Sequence, residues 1–97
     1  MQEIEITDNS VDYCIWYSED SMVVYEYKNY DRRRSFYIDM KNISKEERKL
    51  LKKIKQVALF ELTMSDMRYN LGLTKEKKRI RELLSFLRYL SVFLYPR

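Results

Sequence analysis

Cations crowd the segment around residues 75–78, where a C-terminal helix is predicted to begin. Lys75, Lys77 and Lys78 lie in or just before its first turn, and only Glu76 opposes them. A helix N-terminus already carries partial positive charge, so each lysine there costs on the order of 0.3–1 kcal/mol. Phosphate groups would offset this cost, because helix N-termini and lysines both attract them. The alternative is an ordinary solvated basic face.

The basic pattern continues along the same predicted helix, opposite its leucines. The polar residues on that side are Lys78, Arg81, Ser85 and Arg88. Such side chains hydrogen-bond to phosphates and to base edges. With the lysines at the helix start, they form the predicted DNA-binding face.

A second group of cations, Arg32, Arg33 and Arg34, follows Asp31 in a charged loop predicted over residues 29–34. At the edge of a sheet, these arginines can contact phosphates, remain solvated or pair with Asp31. The sequence leaves these interpretations open. We include the three arginines among the candidate DNA-binding residues.

The first half of the chain contains an acid, Asp12, followed later by a second acid, Glu26, that lies two residues before Lys28. This arrangement resembles the pattern of a large nuclease superfamily, in which such residues hold Mg²⁺ and position a water molecule. If residues 18–21 close a hairpin loop, however, Asp12 pairs with Tyr27. Asp12 and Glu26 then lie on opposite faces of the sheet. We therefore expect no nuclease site.

The composition also argues against catalysis. The chain has no histidine, the side chain most often used for proton transfer near neutral pH and a common metal ligand. Cys14 is the only cysteine, which excludes an intrachain disulfide and argues against a zinc site. We expect a binding protein rather than an enzyme, with no metal and no cofactor.

The chain of 97 residues has the size of one domain, and its 45% hydrophobic content is too high for a disordered chain. The most apolar stretch, 83–95, is interrupted by Arg88 and is too short to span a bilayer. The acidic start is unlike a secretory signal. These features predict a protein of the reducing cytoplasm with no membrane contact.

Charge is divided unequally along the chain. Residues 1–43 carry nine acids against five bases, a balance of −4, whereas residues 44–97 carry six acids against fourteen bases, a balance of +8. Such a split favours an anionic partner for the second half. Mutual attraction of the two halves is the alternative.

Apolar residues alternate with polar ones in the first half of the chain, as in strands, and recur at helical spacing in the second half. An acidic antiparallel meander of about four strands is predicted over residues 2–40, within a segment ending at residue 43. Three helices are predicted in the basic segment 44–97, which gives an α+β fold. The first covers about 45–58 and begins at a capping box formed by Ser44 and Glu47.

The other two predicted helices meet near the only glycine. A short second helix begins at Thr63, with Met64, Met67 and Leu71 on one face, and Gly72 suits its C-terminus. Thr74 is expected to cap the third helix. The apolar stripe of that helix comprises Ile80, Leu83, Leu84, Leu87, Leu90 and Leu94.

Residues 44–95 resemble winged helix-turn-helix DNA-binding proteins in the order of the predicted elements. The match consists of a leading helix, a short second helix ending in Leu71-Gly72-Leu73, and a third helix starting at Thr74. The sequence departs from this family in two respects. Ile80, the first apolar residue of the third predicted helix, comes later than the family pattern places it, and the stretch after that helix is too short to form a wing. The resemblance implies a dimeric regulator of transcription that places its third helix in duplex DNA, with residues 31–34 as the candidate wing.

Aromatic residues on the sheet suggest a second class of function. The same hairpin register places Trp16, Tyr25 and Tyr27 on one face, with Cys14 and Val23. Tryptophan and tyrosine dominate interface energetics, so this face predicts a homodimer or a protein partner. The composition is similar to that of small archaeal-virus and phage proteins, which implies a protein-binding module or inhibitor acting in a host cytoplasm.

Overall fold

The structure is a computed structural model that describes residues 1–74 and 77–95. A four-stranded antiparallel sheet precedes two helices, which confirms the α+β class. The strands are β1 (Gln2–Asp8), β2 (Val11–Tyr17), β3 (Ser21–Lys28) and β4 (Asp31–Asp39), and the helices are α1 (Lys45–Asn70) and α2 (Lys78–Leu94). The chain divides into two compact units, Met1–Leu50 and Leu51–Arg97.

The sheet is a meander whose strands lie in chain order, β1-β2-β3-β4. Asn29 and Tyr30 form a two-residue turn between β3 and β4 with φ of 53° and 69°. A hairpin turn with positive φ at both central positions matches the twist of the flanking strands, and asparagine tolerates it. The prediction of a charged loop over residues 29–34 is therefore wrong, because Asp31 pairs with Lys28 and is the first residue of β4.

The register predicted for the β2–β3 hairpin is confirmed. Tyr17 pairs with Met22, and Asp12 pairs with Tyr27. Alternation then divides the sheet into two different faces. One face is buried, and we call it the closed face; its buried residues are Ile4, Ile6, Tyr13, Ile15, Tyr17, Met22, Val24, Ile38 and Met40.

Helix α1 is continuous over 26 residues, so the prediction of a separate helix starting at Thr63 is wrong. Neither glycine nor proline interrupts this stretch, and the Thr63 hydroxyl donates to the Leu59 carbonyl at 3.0 Å instead of capping a new helix. The capping box at the start of α1 is confirmed. Ser44 N–H donates to the Glu47 carboxylate at 2.9 Å, and Glu47 N–H donates to the Ser44 hydroxyl at 3.1 Å.

Gly72 ends α1 as the sequence predicts for a helix C-terminus. Its φ is 73°, a left-handed conformation that glycine adopts without a Cβ clash. Leu73 N–H donates to the Arg68 carbonyl at 2.9 Å, and Gly72 N–H donates to the Tyr69 carbonyl at 3.1 Å. This pair of bonds is a Schellman motif, which satisfies carbonyls at the end of the helix.

Helix α2 buries a stripe that differs from the predicted one at three residues, because Ile80 and Leu84 are not buried and Phe86 is. Its buried side chains are Leu83, Phe86, Leu87, Leu90 and Leu94. Phe86 is fully buried, whereas Leu84 is 38% exposed. The predicted cap at Thr74 is also wrong, because the N-cap residue is Lys77 and no side chain caps the helix. Within residues 1–74 and 77–95, no helix has the length and hydropathy of a membrane span.

Candidate functional site

The α2 basic face is the line of residues Lys78, Arg81, Ser85 and Arg88, and all four are exposed. Their spacing of three, four and three residues keeps them on one side of the helix. The buried stripe of α2 follows a different line of positions, so the helix is amphipathic, with one apolar side and one cationic side. The predicted DNA-binding residues of α2 therefore lie together on an accessible surface.

Arg79, the remaining arginine near the start of α2, is engaged elsewhere. Its guanidinium forms an ion pair with Glu61 of α1 and lies 3.9 Å from the Glu82 carboxylate. Among the described residues, no ion pair or ring contact holds Lys78, Arg81 or Arg88. Arg79 therefore takes part in ion pairs within the protein, whereas the cations of the α2 basic face are exposed to solvent.

Nothing in the first turn of α2 neutralises the positive charge at its start. The first turn of this helix contains no acidic residue, and the N-cap residue provides no side-chain hydrogen bond to the first N–H groups. Lys77 lies with its ammonium 4.8 Å from the Tyr69 ring centroid, which places a further cation at this end. Lys75, also predicted to bind DNA, lies outside the described residues.

The dimensions of the α2 basic face suit a nucleic-acid groove. Lys78 and Arg88 are ten positions apart, which corresponds to a rise of about 15 Å along a helix. The major groove of B-DNA is about 12 Å wide and admits a helix. Side chains at both ends of this face can therefore reach phosphates while Ser85 lies between them.

The arginines predicted as a candidate wing belong to β4, and their role as a wing stays a prediction. Arg34 forms two hydrogen bonds to the Glu26 carboxylate, at 3.1 and 2.9 Å, and this bonding raises the pKa of Arg34. Arg32 lies 5.4 Å from the Tyr25 ring centroid. Arg33 is exposed at an irregularity in the β3–β4 pairing. Their phosphate contacts stay predictions.

The second candidate surface is the side of the sheet opposite the closed face, and we call it the open face. Across the strands its residues form three rows: Glu3, Trp16, Val23 and Tyr37; Glu5, Cys14, Tyr25 and Ser35; Thr7, Asp12, Tyr27 and Arg32. None of these residues is buried. The residues predicted as a protein interface, Trp16, Tyr25 and Tyr27, share this face.

Aromatic rings pack edge to face across the middle of the open face. The centroids of Trp16 and Tyr25 are 5.4 Å apart, and those of Tyr25 and Tyr37 are 6.5 Å apart. The Tyr25 and Tyr37 hydroxyls lie 3.5 Å apart, and this hydrogen bond raises the pKa of Tyr25. The rings therefore form a continuous, ordered apolar surface.

A pocket of about 340 Å³ lies at the β1–β2 side of the open face, lined by Glu5, Thr7, Asp12, Cys14, Tyr27 and Tyr30. The Thr7 hydroxyl donates to the Asp12 carboxylate at 2.8 Å, and the Cys14 thiol donates to the Glu5 carboxylate at 3.7 Å. Burial, followed by the charge of Glu5, raises the pKa of Cys14 to about 11. Two carboxylates beside tyrosine rings make this pocket suitable for an organic cation.

The acids of the nuclease-like pattern are separated in the structure. Asp12 pairs with Tyr27, and Glu26 pairs with Tyr13, so the two carboxylates lie on opposite faces of the sheet. Glu26 is also bound by Arg34. Across residues 1–74 and 77–95, no group of three metal-binding side chains is present.

An exposed apolar stripe on α1 was not recognised as a surface from the sequence. Phe60, Met64, Met67 and Leu71 lie four, three and four residues apart and are 67%, 36%, 51% and 70% exposed. The spacing itself was the available signal, because it continues one helical face past Thr63. The predicted break at Thr63 concealed it.

No known protein family, curated protein or solved structure matches this chain.

Proposed function

We propose that this protein binds duplex DNA through the α2 basic face and acts as a DNA-binding regulator. The observation that carries the proposal is the exposure of Lys78, Arg81 and Arg88 in one line on a helix whose opposite side is buried. Cations held on a rigid helix engage phosphates without the loss of order that a flexible tail would suffer.

Electrostatics at the helix start supports the proposal. The first turn of α2 has no acid to balance the lysines or the helix dipole. A phosphate near this end would interact favourably with the dipole and with Lys78 at the same time. This is a specific attraction for anions, in addition to the general attraction that a basic chain has for DNA.

The proposal does not require the three-helix arrangement predicted from the resemblance. Helix α2 has its own buried stripe and is joined to α1 by contacts such as that of Arg79 with Glu61. Lys55 of α1 lies with its ammonium 4.2 Å from the Tyr95 ring centroid, at the other end of α2. Within the unit Leu51–Arg97, α2 is therefore held at both ends.

Fluorescence anisotropy with a short labelled duplex at low salt tests the proposal. We expect the wild-type protein to bind and the Lys78→Ala/Arg81→Ala/Arg88→Ala variant to bind at least about tenfold more weakly. The matched control is Lys45→Ala/Lys49→Ala/Lys52→Ala, which removes three exposed cations from α1. This control is expected to retain most of the affinity.

Two outcomes would overturn the proposal. One is an absence of binding by the wild-type protein at low salt. The other is an equal loss in the α2 variant and the α1 control, which would show that only total charge matters. The Arg81→Lys/Arg88→Lys variant preserves charge and is expected to retain binding to phosphates, although lysine cannot form the bidentate contacts of arginine.

A further inference from the structure

The open face is electrostatically asymmetric in a way that makes it complementary to itself. Its β1 edge carries Glu3 and Glu5, and its β4 edge carries Arg32. Asp12 and the pocket lie next to the acidic edge, and the aromatic rings occupy the middle. In a two-fold symmetric dimer, a residue away from the axis meets a different residue of the second copy, so an acidic edge and a basic edge can attract each other across the interface.

We propose that the open face binds a second copy of this chain, face to face, about a two-fold axis parallel to the strands. This axis places β1 of one copy across from β4 of the other, and β2 across from β3. Each row then meets the same row of the second copy in reverse order. This inference is independent of the DNA-binding proposal.

In this arrangement the basic edge of one copy faces the pocket of the other. Arg32 lies in the row of Thr7 and Asp12, so its guanidinium approaches the side of the pocket that carries the Asp12 carboxylate. Glu5 lines the same pocket one row away. A guanidinium between two carboxylates and tyrosine rings combines charge-assisted hydrogen bonds with cation–π contact.

The middle of the face also matches its copy. Trp16 lies across from Val23 of the second copy, and Tyr25 lies across from Cys14 of the second copy. Tyr37 lies across from Glu3 of the second copy, where its hydroxyl can donate to the carboxylate. Packed sheets are about 10 Å apart, a distance that these side chains fill.

The charges select this axis over the other two-fold axis in the plane of the faces. An axis perpendicular to the strands would stack β1 on β1 and place Glu5 opposite Glu5 of the second copy. Like charges brought together across an interface are strongly unfavourable. The axis parallel to the strands replaces that repulsion with attraction at both ends of the interface.

The area predicts a weak dimer. Four strands of about seven residues present on the order of 450 Å² per copy, or roughly 900 Å² from both copies. Specific interfaces below about 1,200 Å² belong to weak or transient complexes. We therefore expect dissociation in the micromolar range, with monomer and dimer in measurable exchange.

Sedimentation equilibrium of the full chain, from low micromolar to near-millimolar concentration, tests the proposal. We expect a monomer–dimer equilibrium, accompanied by a concentration-dependent change in the fluorescence of Trp16, the only tryptophan. Arg32→Glu and Glu5→Arg are each expected to raise the dissociation constant at least about tenfold. Lys52→Glu has the same charge change as Arg32→Glu on an exposed α1 position and is expected to have little effect.

Mixing the two weakened variants gives the decisive result. In a heterodimer of Arg32→Glu with Glu5→Arg, the altered residues meet each other at one end, and the original pair meets at the other. We expect the mixture to dimerise more tightly than either variant alone, which also shows that both variants are folded.

Three outcomes would overturn the proposal. A wild-type chain that stays monomeric at all concentrations shows that the open face does not bind a second copy. A dimer that is indifferent to both charge reversals uses another surface. A dimer that is lost in Met67→Lys but not in Arg32→Glu uses the exposed apolar stripe of α1.

Discussion

Cys14 shows how neighbouring residues can favour the protonated form of a partly exposed thiol. Its thiol donates to the Glu5 carboxylate, and the nearby burial and negative charge favour the protonated form. Because the thiolate is the nucleophile, a raised pKa suppresses alkylation and oxidation. The thiol is only partly buried and lines a pocket.

We predict that iodoacetamide alkylates Cys14 slowly in the folded protein. The pKa of this thiol rises from 9.0 to about 11, so the thiolate fraction at pH 8 falls roughly 100-fold below that of a free thiol. The alkylation rate in urea supplies the unfolded reference. Glu5→Gln removes a charge that raises this pKa and is expected to react faster than the wild type. A folded rate equal to the rate in urea would contradict this prediction.

The same shift predicts the direction of a pH effect on stability. The folded pKa lies above the unfolded value, so the stabilising contribution is complete below about pH 9. It decreases as the pH rises from 9 towards 11, because deprotonation is then easier in the unfolded chain. Urea unfolding at pH 8 and pH 10.5 measures the loss in the free energy of unfolding. The Cys14→Ser variant is the comparison, because it lacks the thiol and is expected to lose less stability between the two pH values.

At the scale of elements, the ends of helix α1 carry clear sequence signals. We predict that Ser44→Ala lowers the free energy of unfolding by about 1 kcal/mol, because the Glu47 N–H loses its acceptor. Ser44→Asp keeps an acceptor at the same position and is expected to remain close to the wild type. Urea denaturation followed by circular dichroism measures the change. Equal stability of Ser44→Ala and Ser44→Asp would contradict the capping role.

Gly72 provides a second test of a helix end. A Cβ at this position would meet no atom within 4 Å, so substitution is opposed only by the φ of 73°. We predict that Gly72→Ala lowers the free energy of unfolding by about 1–2 kcal/mol. Gly72→Asn should lower it less, because asparagine tolerates the left-handed conformation. If the alanine variant is as stable as the wild type, the left-handed turn at Gly72 is incorrect.

These signals explain how far the elements could be predicted. Alternation and turn residues identified four strands and the β2–β3 register, because a one-residue slip would expose the whole apolar set of Ile15 and its neighbours. The tight turn at Asn29-Tyr30 was missed, since the adjacent arginines resemble a loop by composition. The continuity of α1 was missed because Thr63 can either cap a helix or bond back within one.

The two candidate sites could be predicted to different degrees, because one depends on spacing along a single helix and the other on pairing between strands. The α2 basic face depends only on helical spacing, and its exposure matches the prediction. The pocket on the open face depends on pairing between strands and on which side chains turn towards each other. Glu5 and Tyr30 are far apart in the chain, and no local pattern relates them.

At the scale of the whole molecule, the division of charge coincides with a division of surfaces. The acidic half forms the sheet, whose open face is the proposed contact with a second copy. The basic half carries the α2 basic face, the proposed contact with DNA. The alternative role as a module that binds or inhibits another protein stays a prediction, and a wild-type chain that never dimerises would favour it.

The most direct test of DNA binding by α2 is the salt dependence of the affinity. The logarithm of the association constant falls linearly with the logarithm of salt concentration, by about 0.9 for each phosphate contact. We predict that Lys78→Ala/Arg81→Ala/Arg88→Ala reduces the steepness of this line by roughly 2.7, whereas the α1 control leaves it nearly unchanged. A slope that is the same in the wild type and the α2 variant would contradict the assignment of α2 as the DNA-binding element.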